Sequence, residues 1–149
     1  MRIILPLLLL SAYCSTASAA LGGAPTDFGA SDSGRQLRML SANNARANYS
    51  VSESTLSSGT VVREYVASNG SVFAVSWNGP LIPDLQTLLG KHAETLNTAA
   101  ASKPRAGNSQ LSVSRPEVII HSGGHMRAYQ GRAWVPADLP SGVTADDIQ

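Results

Sequence analysis

The stretch Thr60-Val61-Val62-Arg63-Glu64-Tyr65-Val66-Ala67-Ser68-Asn69-Gly70-Ser71-Val72-Phe73-Ala74-Val75-Ser76-Trp77 decides the fold. Two runs rich in β-branched and aromatic residues, 60–66 and 71–77, flank Ser68-Asn69-Gly70-Ser71. An Asn-Gly pair in that setting predicts a β-hairpin, because both central residues of a tight hairpin turn need positive φ. In the second run Phe73, Val75 and Trp77 alternate onto one face, predicted to be core, with Val61 and Tyr65 as partners on the neighbouring strand.

Working upstream, Tyr49, Val51 and Glu53 alternate with Ser50, Ser52 and Ser54, a strand with one weakly apolar face. Residues 20–48 are rich in Gly, Ala, Ser and Asn and read as a flexible arm with at most one short strand. Downstream, Gly79-Pro80 ends the hairpin and the period changes. Leu81, Leu85, Leu88, Leu89, His92 and Leu96 fall within an arc of about 100° at 100° per residue, which predicts an amphipathic helix with one apolar stripe. Pro83 suits the first turn, Asp84 complements the positive helix end, and Gly90, opposite the stripe, predicts a slight bend.

Asn97 to Gln110 reads as a mobile loop. Beyond it the pattern returns to sheet: 111–114, 117–121, 125–130 and 132–135, with Gly123-Gly124 and Gln130-Gly131 as turns. Residues 137–149, with Pro140, Gly142 and three aspartates, read as a surface tail. The expected architecture is therefore a single α+β domain over 49–136. Its antiparallel sheet has about five to seven short strands, with one amphipathic helix packed on one face.

The first 19 residues have a different logic. Arg2 precedes the apolar run Ile3 to Leu10, and Ala17-Ser18-Ala19-Ala20 supplies small residues, which is the layout of a cleaved secretory signal peptide. A core of roughly a dozen apolar residues falls short of the ~20 that cross a bilayer, so no stable membrane insertion is expected after cleavage. Cys14 is no lipidation site, because Tyr13 fills the position where a small residue is required. The whole chain carries 11 basic and 10 acidic residues and one cysteine. Arg2 and Cys14 leave with the signal segment, so the exported chain is neutral and thiol-free. Disulfides, a cysteine nucleophile and thiolate metal ligands are excluded from it. Its balanced charge excludes an electrostatic nucleic-acid binder.

Four stretches together carry a resemblance: Ser58 to Tyr65, Gly70 to Pro80, the helix start Pro83-Asp84-Leu85 with Leu88-Leu89-Gly90, and Ser122-Gly123-Gly124-His125-Met126-Arg127-Ala128-Tyr129. The chain resembles a family of small exported proteobacterial proteins, common in Burkholderia-like bacteria, defined as a domain of unknown function. The resemblance covers nearly all of the chain beyond the signal segment. It implies a bacterial origin and a periplasmic or secreted location, and it brings no catalytic residues.

The chemistry written in the chain is sparse. Nucleophile-elbow, P-loop, dinucleotide-fold, H-E-x-x-H and calcium-loop patterns are missing, and no cofactor is expected. His121 and His125 have metal-ligand spacing. If Ser122, Gly123 and Gly124 form a three-residue turn the two imidazoles face each other, and a third ligand would come from His92 or a carboxylate. His92 itself reads as a half-buried helix residue. Arg63 and Glu64 point to opposite faces of their strand, and a buried Glu64 needs a partner such as Arg127. Arg127, Tyr129, Arg132 and Trp134 alternate cations with aromatics and suit an anionic or sugar ligand. Two functions stay open: a non-enzymatic binding module for an envelope or extracellular protein or glycan, and a small metal-binding protein or enzyme centred on His121 and His125.

Overall fold

The computed structural model describes residues 21–26, 38–40, 43–44, 47–102 and 110–149. The expected signal segment lies outside the described residues. The elements are β1 (Arg38–Leu40), β2 (Asn43–Asn44), β3 (Ala47–Thr55), β4 (Val61–Ala67), β5 (Val72–Gly79), α1 (Leu85–Leu89), α2 (Ala93–Ser102), β6 (Leu111–Ser114), β7 (Ile119–His125) and β8 (Ala128–Trp134). A 3-10 turn over Gly90–His92 links the two helical segments. The sheet runs β1-β3-β4-β5-β8-β7-β6, with β2 pairing β3, and every pairing is antiparallel. The fold is α+β. Two three-stranded meanders, β3–β5 and β6–β8, join through the helix and abut along β5 and β8.

The Asn69-Gly70 hairpin forms between β4 and β5 with a different turn from the one expected. Only Gly70 takes positive φ, at 83°, while Ala67 N–H and Ser71 O close the loop at 2.9 Å. The three residues Ser68-Asn69-Gly70 thus form a turn ending in a left-handed glycine. Asn69 contributes its side chain, whose Oδ1 accepts from Ser71 N–H. The register of β4 on β5 then shifts between Tyr65 and Val66, so Tyr65 pairs Ala74 and Val66 pairs Val72, skipping Phe73. This bulge corrects the expected core face. Val75 and Trp77 face the helix with Val62, whereas Phe73 turns to the opposite face and packs with Tyr65.

The helix begins where Asp84 caps it. Its Oδ1 accepts from Gln86 N–H and Thr87 N–H, and its Oδ2 accepts from the Thr87 hydroxyl. That last bond, chiefly, holds the Asp84 carboxyl below its ordinary range. Leu81, expected on the stripe, precedes the cap and is 57% exposed. Leu88, Leu89, His92 and Leu96 are buried as the stripe requires, each leucine worth about 1.5–3 kcal/mol of apolar burial. At Gly90 the φ of 53° breaks α1, and the chain passes through the 3-10 turn into α2. The helix then continues through Asn97 to Ser102, where the low-complexity sequence predicts a loop. The alanines at 99–101 propagate a helix already nucleated by packed turns. The rest of that loop, 103–109, lies outside the described residues.

One face of the sheet is closed by this helix over Val62, Val75, Trp77, Val113, Ile120 and Ala133. Leu21 joins the same core. Leu21 N–H donates to Leu88 O, Gly22 N–H to Val72 O and Val72 N–H to Gly23 O. Glu64, 2% exposed, faces this side and accepts from Thr26 N–H at 2.9 Å. Arg127, its expected partner, stands at the β7–β8 turn. It lies two strands over and six residues beyond Ala133, roughly 20 Å along the sheet. The opposite face carries Val51, Tyr65, Phe73, Ala74 and Trp134, and the segment 136–149 runs over it. That segment lies on the surface, yet it buries Val143 and Ile148 against these residues.

Candidate functional site

The register lines up one residue from each of six strands in a single row. Glu53 pairs Arg63, Arg63 pairs Ser76, Ser76 pairs Arg132, Arg132 pairs His121 and His121 pairs Ser112. Directly paired residues share a face, so this polar row crosses the sheet on the side away from the helix. Glu53 Oε2 accepts from Arg63 Nε at 2.8 Å. Arg132 has no carboxylate partner within salt-bridge distance among the described residues. Its guanidinium lies 5.6 Å from the Trp134 ring centroid, and its Nη1 donates to Ala145 O at 2.8 Å and to Ile148 O at 3.3 Å.

His121 stacks on the same indole, with ring centroids 5.4 Å apart and planes 7° from parallel. Its Nδ1 is 3.4 Å from Ser112 Oγ. That hydroxyl–imidazole pair is longer than a nucleophile–base bond, and stacking, not a carboxylate, orients the ring. At the other end of the row a single main-chain oxygen, Gln149 O, accepts from Ser76 Oγ at 2.7 Å, Tyr65 Oη at 2.8 Å and Arg63 Nη1 at 3.1 Å. Gln149 N–H donates back to Tyr65 Oη at 2.8 Å.

Beside this contact opens a cleft of about 660 Å³, lined by the row from Arg63 to Ser112 and by Asn78, Gln130 and the backbone of Gly123. Ile148 and Gln149 form one of its walls. Its chemistry is that of a hydrogen-bonding surface with two guanidinium groups, suited to oxygen-rich or anionic ligands.

The residues expected to act together are divided by the strands. Tyr129 is an odd step from Arg132 and points to the helix side, while Arg132 and Trp134 share the cleft side. Arg127 occupies the exposed Met126-Arg127 turn with a φ of 67°, in the left-handed region. Arg132 and Trp134 are brought together; Arg127 and Tyr129 do not join them.

The three-residue turn between His121 and His125 is also corrected. β7 runs through Gly123 and Gly124 without turning, and His125 pairs Ala128 across the Met126-Arg127 turn. The two imidazoles therefore lie on one face of one strand, four residues and roughly 13 Å apart, too far to share an ion. Among the described residues no three His, Cys, Asp or Glu side chains gather as a metal site. His92, 6% exposed, is buried beneath the helix, more deeply than the half-burial expected. Burial, with the Lys91 charge beside it, pushes its pKa below 6.5, against the opposing pull of Glu117 and Asp138.

Sequence reasoning missed Ser76, Ser112, Tyr65 and the segment 143–149 as parts of one surface. The strand pairings that assemble them have no local signature. Comparison with curated proteins and with solved structures finds no match. A family model described as "Protein of unknown function (DUF2844)" matches residues 17–148. With nearly its whole length spanned by that model, the chain belongs to this family of unknown function.

Proposed function

We propose that the chain is an exported, non-enzymatic binding module of the bacterial envelope, and that its recognition surface is the cleft side of the sheet. The observation that carries the reading is the Arg63–Ser76–Arg132–His121–Ser112 row beside an open cleft of about 660 Å³. A half-buried arginine without a carboxylate partner, over an aromatic floor and holding two main-chain carbonyls, is a recognition element for carbonyl or anionic oxygens. No nucleophile, base and orienting group meet there in one geometry, which favours binding over catalysis. The export part rests on Arg2, the apolar run and the Ala17–Ala20 stretch. Among the described residues no helix is long and apolar enough to cross a membrane.

The test is photocrosslinking in a bacterium that naturally makes the protein. One probe is placed at the exposed cleft position Gln130 and another at Glu94 on the outer face of α2. A discrete adduct from Gln130, absent from Glu94 and weakened by Arg132→Ser, is the expected result. Equal labelling from both positions, or none from Gln130, overturns the reading. Signal cleavage is checked by the N-terminal mass of the recovered protein, expected to begin at Ala20.

A further inference from the structure

The segment 143–149 sits on the sheet as a bound peptide would. Its own backbone hydrogen bonds are local: Val143 N–H to Pro140 O, Asp147 N–H to Thr144 O and Ile148 N–H to Ala145 O. Thr144 and Asp147 close a capping box that stabilises this turn without help from the sheet. The segment joins no strand. It is gripped by sheet side chains acting on its main chain: three donors on Gln149 O, Tyr65 Oη accepting from Gln149 N–H, and Arg132 on two further carbonyls. Two side chains, Val143 and Ile148, are buried in the apolar cluster of Tyr65, Phe73 and Trp134, Ile148 the more deeply at 1% exposure.

Main-chain recognition combined with a couple of aliphatic anchors is how a site holds a polypeptide segment while asking little of its sequence. The cleft also extends past Gln149, where Ser112, His121 and Gln130 line its far part.

We propose that this cleft is a peptide-binding site, and that residues 143–149 are its resident competitor. The ligand is a partner's polypeptide segment that places an aliphatic residue in the Ile148 socket and lays polar residues across Arg132, His121 and Ser112. This rests on the binding-module reading above and specifies its ligand class. A polypeptide fits better than a saccharide because the occupied half of the site contacts main-chain oxygens, a main-chain N–H and aliphatic side chains.

The experiment uses the full chain, isotope-labelled, and an unlabelled synthetic peptide carrying residues 142–149 followed by Ser-Gly-Ser. Against a tethered copy at an effective concentration of order millimolar, displacement is expected at millimolar peptide, read as movement of the Ile148 and Gln149 amide signals to unstructured positions. Ile148→Ala in the protein weakens the resident segment alone and lowers the midpoint by about tenfold. Ile148→Val does so by a few-fold and serves where the alanine variant does not fold. The isoleucine-to-alanine change made in the peptide raises the midpoint by at least tenfold. No displacement at ten times the expected concentration, or a midpoint unmoved by both protein variants, overturns the inference. If the peptide fails while Gln130 still captures a discrete adduct, this inference falls and the binding reading stands. If neither occurs, both fall. A saccharide as the captured partner overturns the peptide assignment alone.

Discussion

The two faces of the sheet are closed by different means, and the difference separates a locked cover from one that can open. On one face a helix of apolar stripe residues covers Val62, Val75, Trp77 and Ile120, and the closure is made chiefly by apolar packing. On the other face the cover is a segment with two buried aliphatic anchors, Val143 and Ile148, with Leu139 and Ala145 half-buried beside them, and it is otherwise held by hydrogen bonds to a polar row. A helix locked by leucines opens only when the domain unfolds. A turn held by side-chain hydrogen bonds and two aliphatic residues can lift while the sheet persists, which is the behaviour expected of the low-stability parts of a fold.

Single substitutions on the two faces make the contrast measurable. Leu88→Ala, beneath the helix at full burial, is expected to cost about 2–5 kcal/mol in denaturant unfolding. Gly131→Ala comes next, at about 1–3 kcal/mol, because an added Cβ meets the Trp77 ring, which lies across that glycine on the helix side. Ile148→Ala deletes a side chain as buried as Leu88, yet it should cost less than half as much. Local release of the segment caps the loss. An Ile148→Ala cost equal to that of Leu88→Ala would make the segment an integral part of the core and erase the contrast.

How much of this is legible in the sequence follows from the range of the signals involved. The hairpin at Asn69-Gly70, the helix stripe and the start of β6 at Leu111 are written in neighbouring residues, and the structure has all three. The bulge that turns Phe73 away from Val75 is set by how β4 pairs β5, so alternation alone places Phe73 on the wrong face. Gly123-Gly124 resembles a turn but lies mid-strand, because the β7–β8 pairing continues to His125 and the bend falls at Met126-Arg127. The cleft was half legible. Arg132 and Trp134 were found through their alternation. Tyr65 and Ser76 come from other strands, and Val143 and Ile148 are isolated aliphatics in a polar stretch with no period to betray their burial.

Two smaller effects sharpen the picture of the helix side. Asp84→Ala removes the cap of α1 and should cost about 1 kcal/mol. With the Asp84 carboxyl held below its ordinary range, that contribution is present above the usual carboxylate pKa and fades as pH falls through the lowered value. His92, buried and shifted below 6.5, gives a shallower dependence. The folded state resists its protonation, so stability is full above about pH 6.5 and declines as pH drops toward the lowered value. In His92→Gln, unfolding midpoints measured between pH 5 and 7.5 should lose that part of the slope; an unchanged slope would assign it to other groups.

The account turns on whether the cover of the cleft face opens by itself. Native-state hydrogen exchange of the Gln149 amide, bonded across to Tyr65 Oη, compared with the Leu88 amide, bonded to Asp84 O, tests this directly. Gln149 is predicted to exchange through a local opening insensitive to low denaturant, while Leu88 exchanges only with global unfolding. Merging of the two at the global free energy would contradict the account.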